Sequence, residues 1–181
     1  MTRLSPVLCT SDLPLAELGA ARLDGELFSI DGCFAPVDLV ENAIYRAGSI
    51  TALAGTRLIA EQHTAAWIWG ARLTPPAPHQ FCSMSGARAR SSDLLRAVVR
   101  EVTIDDDEII AVGDQRVTSP LRTVTDLARY AMPFASHEQA IVRSLMRFGR
   151  FSLDECANAL DRRRNLPAKK RAWDRLIALY G

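Results

Sequence analysis

The chain has 181 residues, of which 48% are hydrophobic, so it can fold as one domain or as two small ones. No apolar run approaches the length needed to cross a bilayer, and the N-terminus lacks the apolar core of a signal peptide. We therefore expect a cytoplasmic protein with no membrane partner. The net charge of +1 does not by itself predict a polyanionic partner.

The charge is distributed unevenly along the chain. Residues 1–63 carry four arginines against eight carboxylates, a net charge of −4. Residues 143–181 carry ten lysines and arginines against four carboxylates, a net charge of +6. A basic segment of this kind indicates a surface for nucleic acid or for an acidic protein, although it is equally typical of a solvated helix junction.

The four cysteines and three histidines are scattered and match no metal-binding or redox spacing. We expect reduced, mostly buried thiols at Cys9, Cys33, Cys82 and Cys156, as is usual in a cytoplasmic chain. The sequence gives no reason to expect a metal or another cofactor.

The first predicted elements are a helix and a β-hairpin. Apolar residues recur at helical spacing over residues 15–23, and Asp12 is a plausible N-cap. Asp31-Gly32 is a strong signal for a two-residue turn between strands at residues 26–30 and 33–35. A helix followed by a small hairpin is typical of the second half of a winged helix-turn-helix.

Two more helices lead to a proline-rich segment. They are predicted over residues 38–53, starting at a capping aspartate, and over residues 61–69. Three prolines between residues 75 and 78 form a rigid, extended connection. We place a domain boundary there, between a winged-helix-like module with its supporting helices (1–74) and a C-terminal domain (75–181).

The C-terminal domain begins with strands and ends with helices. Strands are predicted at residues 79–84, 95–102, 109–112 and 115–118, with a polar loop at residues 85–93. Helices occupy residues 119–181. The predicted fold class is therefore α+β: a small winged-helix-like module followed by a mixed α/β domain with a helical C-terminal end.

The start of the first of these helices has a clear local signature. Ser119 suits the N-cap, and Pro120 suits the first helical position, where its missing N–H costs nothing. Arg122 and Asp126 are four residues apart on the same helical face and can form a structural ion pair, which we expect at the exposed edge of the helix.

The last two helices are separated by the basic run. Ser152 and Glu155 fit a capping box at the start of one, and the other extends over residues 168–180. We expect Ile177 and Tyr180 to face the core. The candidate residues for binding DNA or a protein partner are Arg162, Arg163, Arg164, Lys169, Lys170 and Arg171.

The chain has no convincing catalytic constellation, so we expect no enzyme activity and no small-molecule substrate. Asp105 to Glu108 is the densest group of carboxylates and could hold a divalent cation. Adjacent residues on a loop point in different directions, which favours a solvated acidic turn. A metal-dependent nuclease is therefore the least favoured alternative.

Three segments resemble the AbiEi-family antitoxins of type IV toxin–antitoxin systems. They are "AARLDGELFSIDGCFAPVD", "EQHTAAWIWG" and "GDQRVTSPLRTVTDLAR", which is the nearest match. Some members of that family carry a nuclease domain after this module. The resemblance implies a shortened winged helix with no fused nuclease in the chain as given.

The resemblance also implies partners. In that family an N-terminal winged helix binds operator DNA, and a C-terminal domain counteracts a nucleotidyltransferase toxin. Arg22 and Arg3 would then contact DNA, and the basic run would contact DNA or the toxin. The sequence thus predicts an antitoxin-like transcriptional regulator, with a protein-interaction module that does not bind DNA as the alternative.

Overall fold

The computed structural model describes residues 7–84 and 96–180. The fold is α+β, with a two-stranded sheet near the N-terminus, a five-stranded mixed sheet and a helical C-terminal end. In chain order the elements are α1 (Leu15–Leu23), β1 (Leu27–Ile30), β2 (Cys33–Pro36), α2 (Ala43–Ala54), β3 (Ile59–Ala60), α3 (Gln62–Ile68), β4 (His79–Met84), β5 (Ala97–Val102), a 3-10 turn (Asp106–Glu108), β6 (Ile109–Val112), β7 (Gln115–Thr118), α4 (Pro120–Tyr130), α5 (Ser136–Gly149), α6 (Leu153–Asp161) and α7 (Lys169–Ile177). The predicted polar loop at residues 85–93 lies outside the described residues.

The predicted helix and hairpin at the N-terminus are confirmed. β1 pairs with β2 antiparallel, and Asp31 and Gly32 both have positive φ, as a two-residue turn of type I′ requires. The predicted N-cap is wrong, because Pro14 occupies that position. Asp12 instead accepts a hydrogen bond from the Cys9 N–H at 2.8 Å, which holds the preceding turn together.

The second helix begins later than the sequence predicts. α2 starts at Ala43 instead of near Asp38, because Asn42 is the residue that caps it. The Asn42 side chain accepts hydrogen bonds from the backbone N–H groups of Ile44 and Tyr45, which have no partner within the helix.

Two of the predicted free thiols are joined. Cys9 and Cys33 form a disulfide, whereas Cys82 and Cys156 are free and buried as predicted. A backbone bridge between Leu8 and Phe34 brings the two segments together, with two hydrogen bonds of 2.8 Å. The bridged residues are 24 apart in sequence, so their spacing gave no sign of the pairing.

The five-stranded sheet has the order β5-β4-β3-β7-β6. The short strand β3 is its centre: it is antiparallel to β4 and parallel to β7. The outer pairs are parallel β4–β5 and antiparallel β6–β7. The predicted domain boundary after residue 74 therefore separates β3 from β4, two strands that are hydrogen-bonded neighbours.

The sheet and the C-terminal helices enclose two main apolar cores. One lies under the hairpin and α2, where Trp67 and Phe81 are buried. The other surrounds α4, which contacts α3, α5, α6 and α7. α7 buries Leu176, whereas Ile177 is 44% exposed and Tyr180 is 57% exposed, so the prediction that both face the core is wrong.

The local signals at the helix starts are confirmed. Ser119 accepts a hydrogen bond from the Arg122 N–H, with Pro120 at the first helical position of α4. Ser152 and Glu155 form the predicted reciprocal capping box of α6. Within the described residues, no helix is long and apolar enough to cross a membrane.

Candidate functional site

The outer face of α1 is the first candidate surface. Leu18 is the one residue of α1 that is fully buried, and the predicted DNA contact Arg22 is exposed. Leu15 is 63% exposed and Leu23 is 82% exposed. The second predicted DNA contact, Arg3, lies outside the described residues.

The tip of the hairpin is tied to the large sheet. Asp31 Oδ2 lies 2.8 Å from Nε2 of the buried His79, and Asp31 Oδ1 lies 3.2 Å from an Arg96 nitrogen. On the other side of its ring, His79 Nδ1 contacts the Thr64 hydroxyl at 3.3 Å. The hairpin is therefore fixed to β4 and α3, with an acidic side chain at its turn.

The six residues of the basic run do not form one positive patch. Arg162 pairs with Asp107 at 2.7 Å, and Arg163 pairs with Asp105 and Glu108 at 2.7 and 2.8 Å. The acidic turn, whose residues were an alternative metal site, thus neutralises Arg162 and Arg163.

Of the other four residues of the run, two have partners and two have none among the residues described. Lys169 pairs with Asp161, and Arg171 donates to the Arg129 carbonyl. Arg164 and Lys170 are exposed, and neither has an ion-pair or hydrogen-bond partner among the residues described. These two are the free cations of the run.

Arg164 and Lys170 border a groove between α6 and α7. Its apolar lining includes Leu160, Leu166 and Trp173, and its volume is about 550 Å³. An apolar groove with a positive rim fits an acidic protein segment that carries apolar side chains.

The acidic turn is held by arginines. Burial alone would raise the pKa of Glu108, but hydrogen bonds from Arg163 and from the Asp105 backbone N–H lower that pKa below its ordinary value. The hydrogen bond from Arg162 likewise lowers the pKa of Asp107. In the described part of the chain, no three histidine, cysteine or carboxylate groups are placed to share a metal ion.

The predicted pair of Arg122 and Asp126 is confirmed, with Nε–Oδ2 at 2.9 Å. Its expected place at an exposed helix edge is wrong, because the Asp126 carboxylate is fully buried and Arg122 nearly so. Asp126 also accepts from Arg129 at 2.9 Å and from Arg100 at 3.4 Å. One carboxylate therefore holds three arginines.

The pair of Arg122 and Asp126 belongs to a larger ion-pair network that the sequence did not predict. The buried Glu61 accepts a hydrogen bond from Arg100 at 2.7 Å, which joins the start of α3 to β5. Arg122 reaches Glu108 at 2.7 Å, which joins α4 to the acidic turn. A charged residue at the start of a helix is ordinarily exposed, so nothing in the local pattern marked Glu61 as buried.

Comparisons with known proteins support the fold and no more. No family model matches the chain, and no curated protein matches it. Among solved structures it is similar to the Rv2827c protein from Mycobacterium tuberculosis, with a TM-score of 0.50 and 13% identity. The match covers 96% of this chain and 70% of that one. At this identity the similarity concerns the fold alone, and the resemblance to AbiEi antitoxins stays a prediction.

Proposed function

We propose that the chain is an antitoxin-like transcriptional regulator that acts by binding, with operator DNA and a nucleotidyltransferase toxin as its partners. The observation that carries this proposal is the arrangement at the N-terminus. α1 is exposed along its outer face and leads directly into a hairpin, which is the helix-and-wing order that winged helix proteins use on DNA.

The N-terminal surface is the proposed DNA contact. Arg22 lies in the last turn of α1 with its side chain exposed, where it can reach a phosphate. The hairpin is braced by Asp31 and His79, so α1 and the hairpin would meet a duplex as one rigid unit.

The groove between α6 and α7 is the proposed toxin contact. Arg164 and Lys170 have no acidic partner among the described residues, and they flank apolar side chains that include Trp173. Trp173 is partly buried against the core around α4, and aromatic and arginine side chains are enriched at protein interfaces.

A specific observation also favours the second candidate, a protein-interaction module that does not bind DNA. The exposed face of α1 presents Leu15 and Leu23, together with the exposed acids Glu17 and Asp24. A surface that must neutralise phosphates is poorly served by this charge, whereas exposed leucines are typical of a protein contact.

A mobility-shift series tests the DNA contact. The chain would be titrated against the DNA upstream of its own gene at several salt concentrations, alongside Arg22→Ala. We expect the parent chain to shift the DNA in a salt-dependent way. The slope of log affinity against log salt concentration should be smaller in magnitude by about one in Arg22→Ala, because one phosphate contact is lost. Arg57→Ala, which removes another exposed arginine of the N-terminal module, is the control. Absence of a shift at every salt concentration would remove the operator-binding half of the proposal.

Co-purification tests the protein contacts. The chain would be co-expressed with the product of the neighbouring gene, using Trp173→Ala for the groove and Leu23→Asp for α1. Loss of the complex with Trp173→Ala supports the toxin contact, and loss with Leu23→Asp supports the second candidate. Leu73→Asp, at a position that is equally exposed, is the control for added surface charge. A complex that both variants form as well as the parent chain contradicts both assignments.

A further inference from the structure

A cleft rich in arginine lies beside the ion-pair network. It is bounded by β5, by α4 and by the connection between α6 and α7, and its volume is about 370 Å³. Four arginines from these three elements line it, together with Tyr130, and Glu101 is the one acidic residue in the lining. The four are Arg100, Arg122, Arg129 and Arg163.

Buried carboxylates hold these arginines in place. Glu61 fixes Arg100, and Asp126 fixes Arg122 through hydrogen bonds of 2.7 and 2.9 Å. Asp126 is fully buried and Glu61 nearly so, whereas the side chain of Arg100 is 29% exposed. Arg163 is held by Glu108 and by the more exposed Asp105. The guanidinium groups that line the cleft are therefore already ordered.

Several guanidinium donors remain unused. Nη1 of Arg100, Nη2 of Arg122 and Nε of Arg163 have no acceptor within residues 7–84 and 96–180. Guanidinium groups held in a fixed orientation bind an oxyanion at a lower entropic cost than mobile ones.

The arginines also crowd one another. Burial, together with the positive charges of Arg122 and Arg100, lowers the pKa of Arg129 even though Asp126 is beside it. Arg100 and Arg129 both lie 4.5 Å from the centre of the Tyr130 ring. Burial alone would lower the pKa of Arg100 and of Arg122, but their carboxylate partners raise both above the ordinary value.

We propose that this cleft is a binding site for a phosphate ester. A phosphoryl group presents oxygens in three directions, so it can accept from arginines that approach from three elements, whereas a planar carboxylate cannot satisfy all of them. The volume suits a small ligand such as a mononucleotide, or the terminal nucleotide of a nucleic acid strand. The site does not use α1, and although Leu166 lines both the cleft and the groove between α6 and α7, none of the four cleft arginines lines that groove, so the proposal stands independently of the function proposed above.

Calorimetric titration with pyrophosphate and with adenosine monophosphate tests the site, at constant ionic strength set with chloride. Arg163→Gln removes one cleft donor, while Glu108 keeps Arg122 as its partner. We expect the affinity to fall about tenfold, the effect of one charge-assisted hydrogen bond. Arg147→Gln removes an exposed positive charge on α5, away from the cleft lining, and should bind like the parent chain.

A second variant keeps the test independent of any loss of folding. Glu101→Gln removes the one acidic group of the lining, and we expect phosphate binding to tighten about threefold. Tighter binding in Glu101→Gln supports the site even where Arg163→Gln fails to fold. Unchanged or weaker binding overturns it.

Fluorescence anisotropy with a single-stranded oligonucleotide distinguishes the two sources of phosphate. A loss of adenosine monophosphate binding in Arg163→Gln identifies a free nucleotide, and a loss of oligonucleotide binding alone identifies a nucleic acid. Arg22→Ala should leave both unchanged, which separates this site from the operator contact. The proposal is wrong if neither phosphate ligand binds more tightly than acetate, or if Arg147→Gln loses as much affinity as Arg163→Gln.

Discussion

At the scale of single residues, the main feature is a buried carboxylate that several arginines share. Asp126 sits in the middle of α4 and accepts from side chains on α4 and β5. Its pair with Arg122 was predictable from the sequence, because residues four apart on a helix lie on the same face. The contact with Arg100 was not predictable, because Arg100 lies on a strand 26 residues away in sequence. Nor did the sequence indicate that the pair is buried, which makes its loss costly.

Replacing Asp126 with asparagine should destabilise the protein strongly. The substitution keeps the shape of the side chain but leaves the buried guanidinium group of Arg129 without its carboxylate partner, and leaves Arg122 with Glu108 alone. We expect a loss of about 3–5 kcal/mol in the free energy of unfolding, measured by urea denaturation. Asp174→Asn, at an exposed position on α7, should change it by less than about 0.5 kcal/mol. A loss below about 1 kcal/mol for Asp126→Asn would contradict this account of the network.

The acidic turn should make stability depend on pH. The pKa of Glu108 in the folded protein lies below the ordinary glutamate pKa of 4.5. As the pH falls through 4.5, Glu108 therefore takes up a proton in the unfolded chain before it does so in the folded protein. The stability that Glu108 contributes is therefore present above that pH and is lost as the pH falls through the folded pKa. Denaturation of the parent chain and of Glu108→Gln between pH 7 and pH 3 should show their difference shrinking below about pH 4.5. A difference that stays constant over this range would exclude the ion-paired carboxylate as its cause.

At the scale of elements, the features that the sequence predicts correctly are those with a local signal. The turn at Asp31-Gly32, the cap at Ser119-Pro120 and the capping box at Ser152 each depend on residues that are adjacent or a few positions apart. Elements that are defined by distant partners could not be predicted in this way. β3 has two residues, and it is a strand because β4 and β7 lie on either side of it. The same reason hid the disulfide, which follows from the pairing of Leu8 with Phe34.

The disulfide should hold the hairpin to the segment that precedes α1. Opening the loop between Cys9 and Cys33 restores chain entropy to the unfolded state, so we expect reduction to cost about 3 kcal/mol. The melting temperature should fall with added reductant in the parent chain and should not respond to it in Cys33→Ser. Cys82→Ser, which removes a free buried thiol, should keep the response. Thiol counting in denaturant should find two free thiols, and four before any reductant is added would refute the disulfide.

At the scale of the whole molecule, the large sheet joins the two predicted parts of the chain, residues 1–74 (the N-terminal half) and residues 75–181 (the C-terminal half). β3 comes from the N-terminal half and lies between two strands of the C-terminal half, and Trp69 of the segment after α3 donates from its indole nitrogen to the Thr118 carbonyl at 2.9 Å. The network runs across the same junction, from Glu61 through Arg100 to α4. The proposed phosphate cleft is lined by residues of the C-terminal half, and Glu61 of the N-terminal half holds one of its arginines, Arg100, in place.

This architecture predicts that residues 75–181 will not fold alone. Removal of β3 leaves β4 and β7 without their shared neighbour, exposes their backbone groups and removes Glu61 from beside Arg100. We expect the fragment to show no cooperative thermal transition by circular dichroism, and to regain one when residues 1–74 are supplied as a second polypeptide. A fragment 75–181 that melts cooperatively near the temperature of the full chain would instead establish two independent domains, divided where the prolines predicted.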